Sequence, residues 1–338
     1  MTMRKFLTKV SVFVIYAFLL QVVFPYVVDP FNVFHASAIR VNGVEPNKNY
    51  IKMTYILDNP EKFDGFLFGS SRVGAIHTEK IMGKKIYNMT YSAGLPSEHL
   101  ANLKTFLHNK IYPSVIYIGI DDICTYVRPY FHIIEPLRCP YEYLTDKEYF
   151  YSLYLNPYET LCSLWYYFTK PNNLNVDAFY QYGWWCEYGR KPTINWETDE
   201  IKPSVGKTFN DKVLPNALNA VKEITDICRK NNIEFILFTN PVHHVTYRAS
   251  VEENYLEFLE GLAWITDFYN FSGLNDVTLN NDNYLETSHY KAEVGDMIID
   301  VICNDKKYDG LYEQGFGMKV TNENADEFIR MLRGQLKN

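Results

Sequence analysis

The sequence predicts an α/β protein whose mostly parallel sheet carries helices on both faces. Short apolar and β-branched runs alternate with stretches of helical spacing from about residue 63 onward. The chain has 338 residues, of which 47% are hydrophobic, enough for one large core. We therefore expect a three-layer sandwich with a five-stranded sheet, one N-terminal transmembrane helix and an aromatic-rich insertion.

The N-terminus predicts a membrane anchor. Arg4, Lys5 and Lys9 precede residues 10–28, which carry no charge, and Asp29 follows. A helix of that length spans about 28 Å, close to one hydrocarbon core. The positive-inside rule places the N-terminus in the cytoplasm and the rest outside. One alternative is a cleaved signal peptide, which should have a shorter apolar region that ends in small residues. The other alternative is a buried core helix.

The first half of the predicted domain follows an irregular lead-in over residues 29–62. Apolar and β-branched runs predict three strands, over residues 63–69, 84–89 and 114–120. A helix is predicted over residues 96–110, where Leu100, Leu103 and Phe106 recur at helical spacing.

An insertion is expected over about residues 124–205, because the alternation pauses there. About a third of residues 141–190 are Tyr, Trp or Phe. One or two helices are expected, over about residues 147–168. This segment is interpreted either as a packed lid or as a surface for a glycan or a protein partner.

The alternation returns after the insertion. Helices are predicted over about residues 211–231, 250–262 and 291–303, and strands over 233–239 and 263–268. The predicted α/β region covers residues 63–305. Residues 306–338 are assigned to a separate C-terminal strand, over 316–320, and a helix that begins at Thr321 or Asn322.

Four polar stretches lie just after a predicted strand or just before a helix, where ligands bind in parallel sheets. They are GSSR at 69–72, SAGLPSEH at 92–99, GIDD at 119–122 and LETSHY at 285–290. A serine needs a base to become a nucleophile, and the base needs a group that orients it. Ser71, His289 and Glu286 could fill these roles. Alternatively, Ser71 caps a helix and His289 is a buried histidine bonded to backbone.

The order of these stretches resembles the GDSL/SGNH hydrolase superfamily over roughly residues 63–305. The anchor, the Gly-Ser-Ser-Arg form and the Ser-His-Tyr ending resemble membrane-anchored members that work beside membrane-bound O-acyltransferases on bacterial surface polymers. The resemblance implies that Ser71 is the nucleophile, Gly94 an oxyanion glycine, His289 the base and Glu286 its carboxylate. Gly94 could also be required only by a turn with positive φ.

Two positions differ from the family pattern. The usual Gly-Asp-Ser is Gly69-Ser70-Ser71 here, and Asp121 stands where the family has Asn. An ionised carboxylate cannot donate a hydrogen bond to an oxyanion. Asp121 would therefore have to be protonated, fix its loop or pair with Arg72. Arg72 either neutralises such a carboxylate or binds an anionic group of the substrate.

Further candidates follow the strand predicted over 233–239. Asn240 and His243 should reach the ligand side of the sheet, and one of His243 and His244 could line the substrate pocket. Adjacent histidines at a strand end point apart, and no C-x-x-C spacing occurs, so we expect no metal site. No cofactor is expected. The six cysteines could be free or bridged.

The resemblance implies a membrane-anchored, extracytoplasmic serine enzyme in the bacterial cell membrane. The enzyme would form an acyl ester on Ser71 and transfer the acyl group to a glycan hydroxyl or to water. The partners implied are a cell-surface glycan or teichoic-acid-like polymer and a membrane-bound O-acyltransferase. The alternative is a non-catalytic glycan-binding or accessory subunit of that acyltransferase. A net charge of −7 without a basic stripe argues against nucleic acid.

Overall fold

The computed structural model describes residues 3–36, 39, 43–135, 137–144, 153–169, 176–184, 186–207 and 212–337. Contacts divide the chain into two compact units. The first comprises Met1–Tyr55 and His132–Val176, and the second Ile56–Phe131 and Asp177–Asn338. The first part of the helix predicted over about 147–168 lies outside the described residues.

The helices and strands of the described residues are as follows. Helices run over Met3–Val28 (α1), Lys48–Asp58 (α2), Pro96–His108 (α3), Ile123–Tyr126 (α4), Pro129–Ile133 (α5), Tyr141–Leu144 (α6), Pro157–Thr169 (α7), Val176–Gln181 (α8), Val213–Lys230 (α9), His244–Glu252 (α10), Tyr255–Ala263 (α11), Asp276–Leu279 (α12), Ala292–Asn304 (α13) and Ala325–Gln335 (α14). Strands run over Gly65–Gly69 (β1), Ile86–Asn88 (β2), Val115–Ile120 (β3), Glu234–Thr239 (β4), Phe268–Asn270 (β5) and Met318–Val320 (β6).

In the first unit, α1 is long and apolar enough to cross a membrane, judged by its length and composition. Its Leu19–Val23 segment is π-helical. The helix ends at Asp29, which adopts a left-handed φ of 48°. The Asp29 carboxylate is buried and accepts hydrogen bonds from the backbone N–H groups of Val33 and His35, at 3.0 and 2.9 Å. These hydrogen bonds fix the change of chain direction at the point where the apolar helix ends.

The second unit is built on one sheet with strand order β2-β1-β3-β4-β5-β6. Strands β1 to β5 are parallel to their neighbours, and β6 pairs antiparallel with β5. The predicted α/β class with a mostly parallel sheet is confirmed, whereas the predicted number of five strands is wrong. The sixth strand is the C-terminal run, which covers the otherwise open edge of β5 instead of standing apart.

The sequence placed the fifth strand too early. Residues 263–267 do not form a strand, because α11 continues to Ala263 and Trp264 is exposed beyond it. Leu262 and Ala263 are buried as part of the helix face, so their apolar character reflects helical and not strand spacing. The helix predicted over 250–262 is interrupted by Asn254, with a left-handed φ of 68°.

Both faces of the sheet are covered by helices. On β1, Phe66 and Phe68 pack against Phe106 of α3, whereas Leu67 belongs to a core cluster that includes Ile298 of α13. Successive side chains of a strand point to opposite faces, so one strand contributes to two cores. This burial on both sides explains why the sequence of β1 is continuously apolar.

Helix α13 packs closely against the 3₁₀ turn Ser71–Ala75, which follows β1. A Cβ atom on Gly295 would lie 2.5 Å from the carbonyl oxygen of Ala75. Only a residue without a side chain allows this approach. The position of the turn therefore depends on Gly295.

We expect Gly295→Ala to lower the free energy of unfolding by about 1–3 kcal/mol, since the added methyl group meets backbone that cannot easily move. Gly334→Ala is the matched control, because Gly334 also lies in a helix but has open space around its Cα. That change should be neutral or stabilising by up to about 1 kcal/mol. Denaturant unfolding of the detergent-solubilised chain, followed by circular dichroism, measures both. Equal effects would contradict the close packing of α13.

Candidate active site

Polar side chains from neighbouring strands meet at the carboxyl edge of the sheet. Ser70 follows β1, Asp121 follows β3 and Asn240 follows β4. The Ser70 hydroxyl donates to Asp121 Oδ2 at 2.6 Å, and the Asn240 amide lies 3.3 Å from the same oxygen. Tyr290, from the loop before α13, donates to Asn240 Oδ1 at 2.9 Å. Three of the four predicted stretches are thereby joined by hydrogen bonds.

Ser71, His289 and Glu286 form a hydrogen-bonded chain at this edge. His289 Nε2 lies 2.8 Å from Ser71 Oγ, and His289 Nδ1 contacts Glu286 Oε1. With the proton on Nδ1, the ring donates to Glu286 and accepts from the Ser71 hydroxyl. The three side chains are partly exposed, so a substrate can reach them. The arrangement has the reach required for proton transfer from a serine to a base.

Glu286 is held in its charged form. Burial alone would raise the pKa of this carboxyl, but the His289 hydrogen bond, the Ser288 N–H and the Arg72 charge together lower it below 4.5. The Ser288 backbone N–H donates to Glu286 Oε2 at 2.6 Å. An ionised Glu286 can orient the imidazole and stabilise its protonated form.

The loop that carries Glu286 and His289 is closed on itself. Tyr284 and Tyr290 form an antiparallel bridge, and the Leu285 N–H donates to the His289 carbonyl at 2.8 Å. This closure brings Glu286 and His289 to the same side of the loop. Their spacing of three residues therefore places the carboxylate beside the imidazole, as the sequence predicts.

The turn that carries Ser71 is fixed by its neighbours. Ser70 Oγ accepts from the Arg72 N–H at 3.3 Å, and Thr90 Oγ1 donates to the Ser70 carbonyl at 2.7 Å. Gly69 has a φ of 158° and approaches the Gly119 carbonyl closely, so that a Cβ would lie 2.8 Å from that oxygen. Ser70 thus supports the turn, while Ser71 faces the imidazole.

Arg72 is buried and joins three segments of the site. Its Nη1 lies 2.6 Å from Asp122 Oδ1 and 3.0 Å from Asp121 Oδ1, and its Nε donates to the Ser288 carbonyl at 2.8 Å. Burial opposes its charge, but the two carboxylates outweigh that effect and raise the Arg72 pKa. Of the two roles considered for Arg72, pairing with carboxylates is the one that these contacts support.

Asp121 acts as a buried acceptor. Its two oxygens accept from Ser70 Oγ, Asn240 Nδ2, the Ile123 N–H and Arg72 Nη1. These bonds fix the loop after β3 and neutralise the carboxylate. The adjacent Asp122 is also fully buried, and burial raises its pKa to about 6 in spite of the Arg72 charge.

Gly94 is required by close packing and not by its backbone angles. The positive φ of this loop belongs to Ala93, at 54°. A Cβ on Gly94 would lie 2.8 Å from the Gly69 carbonyl oxygen. The Gly94 N–H makes a long bond of 3.4 Å to the Tyr91 carbonyl, and the Ser71 N–H has no partner among the described residues. Both N–H groups remain predicted oxyanion donors.

His243 serves as the N-cap of α10. It is fully buried, its Nδ1 accepts from the Val245 N–H at 3.3 Å and its Nε2 lies 3.0 Å from Asn281 Oδ1. Its ring stacks on Trp196. Burial lowers the pKa of His243, which favours the neutral ring that such a cap requires. Its contacts support a structural role.

Sequence reasoning did not identify the residues that hold the Glu286–His289 loop from outside. Thr246 Oγ1 donates to the Thr287 carbonyl at 2.7 Å, and Thr287 Oγ1 donates to the Lys202 carbonyl at 2.8 Å. These pairs are 41 and 85 residues apart in sequence, and threonine carries no local signal of such contacts.

Comparisons of the chain with protein-family models, with curated proteins and with solved structures find no match. Within the described residues, no group of three His, Cys, Asp or Glu side chains is arranged to hold a metal ion.

We expect Arg72→Met to lower the free energy of unfolding by about 3–5 kcal/mol, because it leaves two carboxylates buried without their cation. Arg229→Met is the control, since Arg229 pairs with Asp226 on the exposed surface. Its effect should be at most about 1 kcal/mol. Denaturant unfolding measures both changes. A small effect at Arg72 would contradict the role of the buried ion cluster.

The lowered pKa of Glu286 predicts that this residue makes a pH-dependent contribution to the free energy of unfolding. Its folded-state pKa lies below the ordinary value of 4.5, so its stabilising effect is present above pH 4.5 and is lost as the pH falls through the folded pKa. The difference in unfolding free energy between wild type and Glu286→Gln should therefore shrink on acidification. Denaturant titrations between neutral and acidic pH test this. A difference that grows on acidification would contradict the depressed pKa.

Proposed function

We propose that this protein is a membrane-anchored serine enzyme of SGNH type, an O-acyltransferase or esterase that forms an acyl ester on Ser71. The observation that supports this most directly is the hydrogen-bonded chain from Ser71 Oγ through His289 to Glu286. A half-buried serine within 2.8 Å of an imidazole that a carboxylate orients has the parts needed for nucleophilic acyl transfer.

The reaction begins when Ser71 Oγ attacks the acyl carbonyl carbon and His289 Nε2 takes the hydroxyl proton. Glu286 holds the Nδ1–H and stabilises the imidazolium. The Ser71 and Gly94 N–H groups are the proposed donors to the oxyanion. When the tetrahedral intermediate collapses, the imidazolium gives its proton to the departing alcohol, and the acyl group stays on Ser71.

The second half of the reaction repeats these steps with a new nucleophile. His289 removes a proton from an acceptor hydroxyl or from water, and the oxygen attacks the Ser71 ester. The imidazolium then returns its proton to Ser71 Oγ. Attack by a glycan hydroxyl makes the protein a transferase, and attack by water makes it an esterase.

The substrate and location rest on the family resemblance and on α1. The order of the polar stretches along a parallel sheet supports an SGNH-like three-layer fold. Basic residues in the first turns of α1, ahead of its uncharged stretch over residues 10–28, support a single-pass anchor in a bacterial cell membrane, with the N-terminus inside and the site outside. The proposed acceptor is a cell-surface glycan or teichoic-acid-like polymer, and the proposed acyl source is a membrane-bound O-acyltransferase.

A second candidate is a non-catalytic glycan-binding or accessory subunit of that acyltransferase. The contacts of Asp121 favour it, because this carboxylate only accepts hydrogen bonds at the position where the family supplies a side-chain donor. Losing one oxyanion donor slows acyl transfer by about 10²–10³-fold. A protein that needs no catalysis could tolerate that loss.

We expect a fluorophosphonate probe to label Ser71 in the folded, full-length protein. Ser71→Ala should abolish the label and reduce p-nitrophenyl acetate hydrolysis by at least about 10³-fold, since serine and base act as one unit. Peptide mapping by mass spectrometry locates the label. Circular dichroism shows whether the variant has kept its fold.

Ser70→Ala is the matched control, because Ser70 donates to Asp121 and not to His289. This variant should still carry the label on Ser71. Hydrolysis by Ser71→Ala at the wild-type rate would disprove the assignment of the nucleophile. A folded wild-type protein that takes no label would favour the accessory role.

An assay that supplies the protein with a donor ester and an unacylated glycan distinguishes transfer from hydrolysis. Transfer leaves the ester on the glycan, whereas hydrolysis releases free acid.

A further inference from the structure

Helix α7 has an inverted pattern of burial. Its polar residues Thr160 and Ser163 are buried, whereas five of its large apolar or aromatic side chains are exposed. Trp165 is 72% exposed and Phe168 79% exposed. Tyr158 and Leu161 are also exposed and continue the same stripe at helical spacing. A helix that faces water normally shows the reverse arrangement.

The start of α7 is attached to the end of α1. The Tyr154 hydroxyl donates to the buried carboxylate of Asp29, the residue at which α1 ends. The Gln21 side chain donates to the Leu155 carbonyl at 2.6 Å. Gln21 lies seven residues before Val28, or about 10 Å along the helix. These two bonds place the beginning of α7 beside the last turns of α1, and the two helices contact each other there.

We propose that α7 lies in the outer interface of the bilayer and is a second membrane contact beside α1. This inference depends on the proposed role of α1 as a membrane anchor. Tyr26 and Val27 in the last turn of α1 are exposed as well, so both helices present apolar side chains near the point where α1 ends. Trp and Tyr are enriched at the membrane interface, where their rings reach both apolar and polar surroundings.

The composition of α7 indicates how it binds lipid. The segment Pro157–Thr169 contains no Lys or Arg, so it has no cation to attract anionic head groups. Its contact with the bilayer depends on burial of the apolar stripe, as in other interfacial helices. The helix should therefore bind zwitterionic phosphatidylcholine, and salt should have little effect.

Trp165 provides the test, with the full-length protein reconstituted in phosphatidylcholine vesicles. Lipids brominated on the acyl chain should quench part of the tryptophan fluorescence. Trp165→Phe should remove most of that quenchable part. Trp264→Phe is the matched control, because Trp264 is similarly exposed, at 67%, but lies in the second unit. It should leave the quenching by brominated lipid in place and reduce the quenching by aqueous iodide.

Several outcomes overturn the proposal. If iodide and not brominated lipid quenches Trp165, the helix faces water. If neither quenches it, a protein surface covers the helix. Flotation with the vesicles tests the anchor separately. A protein that floats without quenching of Trp165 keeps its anchor and refutes the interfacial helix, and a protein that does not float refutes both.

Discussion

The site depends on one buried cation, the guanidinium of Arg72. It bonds to Asp121 and Asp122 after β3 and to the Ser288 carbonyl in the loop before α13. Ser71 precedes Arg72 in sequence and His289 follows Ser288, so the same cation positions the hydroxyl and the imidazole relative to each other. A guanidinium suits this task because its planar fork donates in several fixed directions and keeps its charge when buried. Removing one member of such a buried cluster leaves the others without compensation.

The same cluster explains how a carboxylate can occupy residue 121. Asp121 is neutralised by Arg72 and accepts hydrogen bonds from Ser70 and Asn240. The partners of its carboxylate oxygens are therefore groups of the protein itself. Two adjacent buried carboxylates share this single guanidinium, and burial raises the Asp122 pKa to about 6. The buried charges of the site therefore fall into two groups with different roles. The Arg72 cluster supports the loops, while Glu286 keeps its negative charge next to the imidazole.

The predicted elements agree with the structure where the periodicity was strong. Strands β1 and β3 and helices α3, α9 and α13 follow long apolar runs or regular helical spacing, and both arise from burial of the core. The errors lie where segments are short. Strand β5 has only three residues, Phe268–Asn270, and its apolar neighbours in α11 obscured where it begins. Strand β6 joins the sheet only because the chain returns to pair with β5, which local spacing does not reveal.

By itself, the sequence determined the apolar helix α1, strands β1 and β3 and the pairing of Glu286 with His289, because each depends on residues close together in the chain. Tertiary structure decided the contact of His289 with Ser71, 218 residues away, and the partners of Arg72. It also decided that Thr160 and Ser163 of α7 face inward while Trp165 faces outward. The spacing of residues in a helix defines its faces, but the rest of the fold determines which face meets protein and which meets the surroundings.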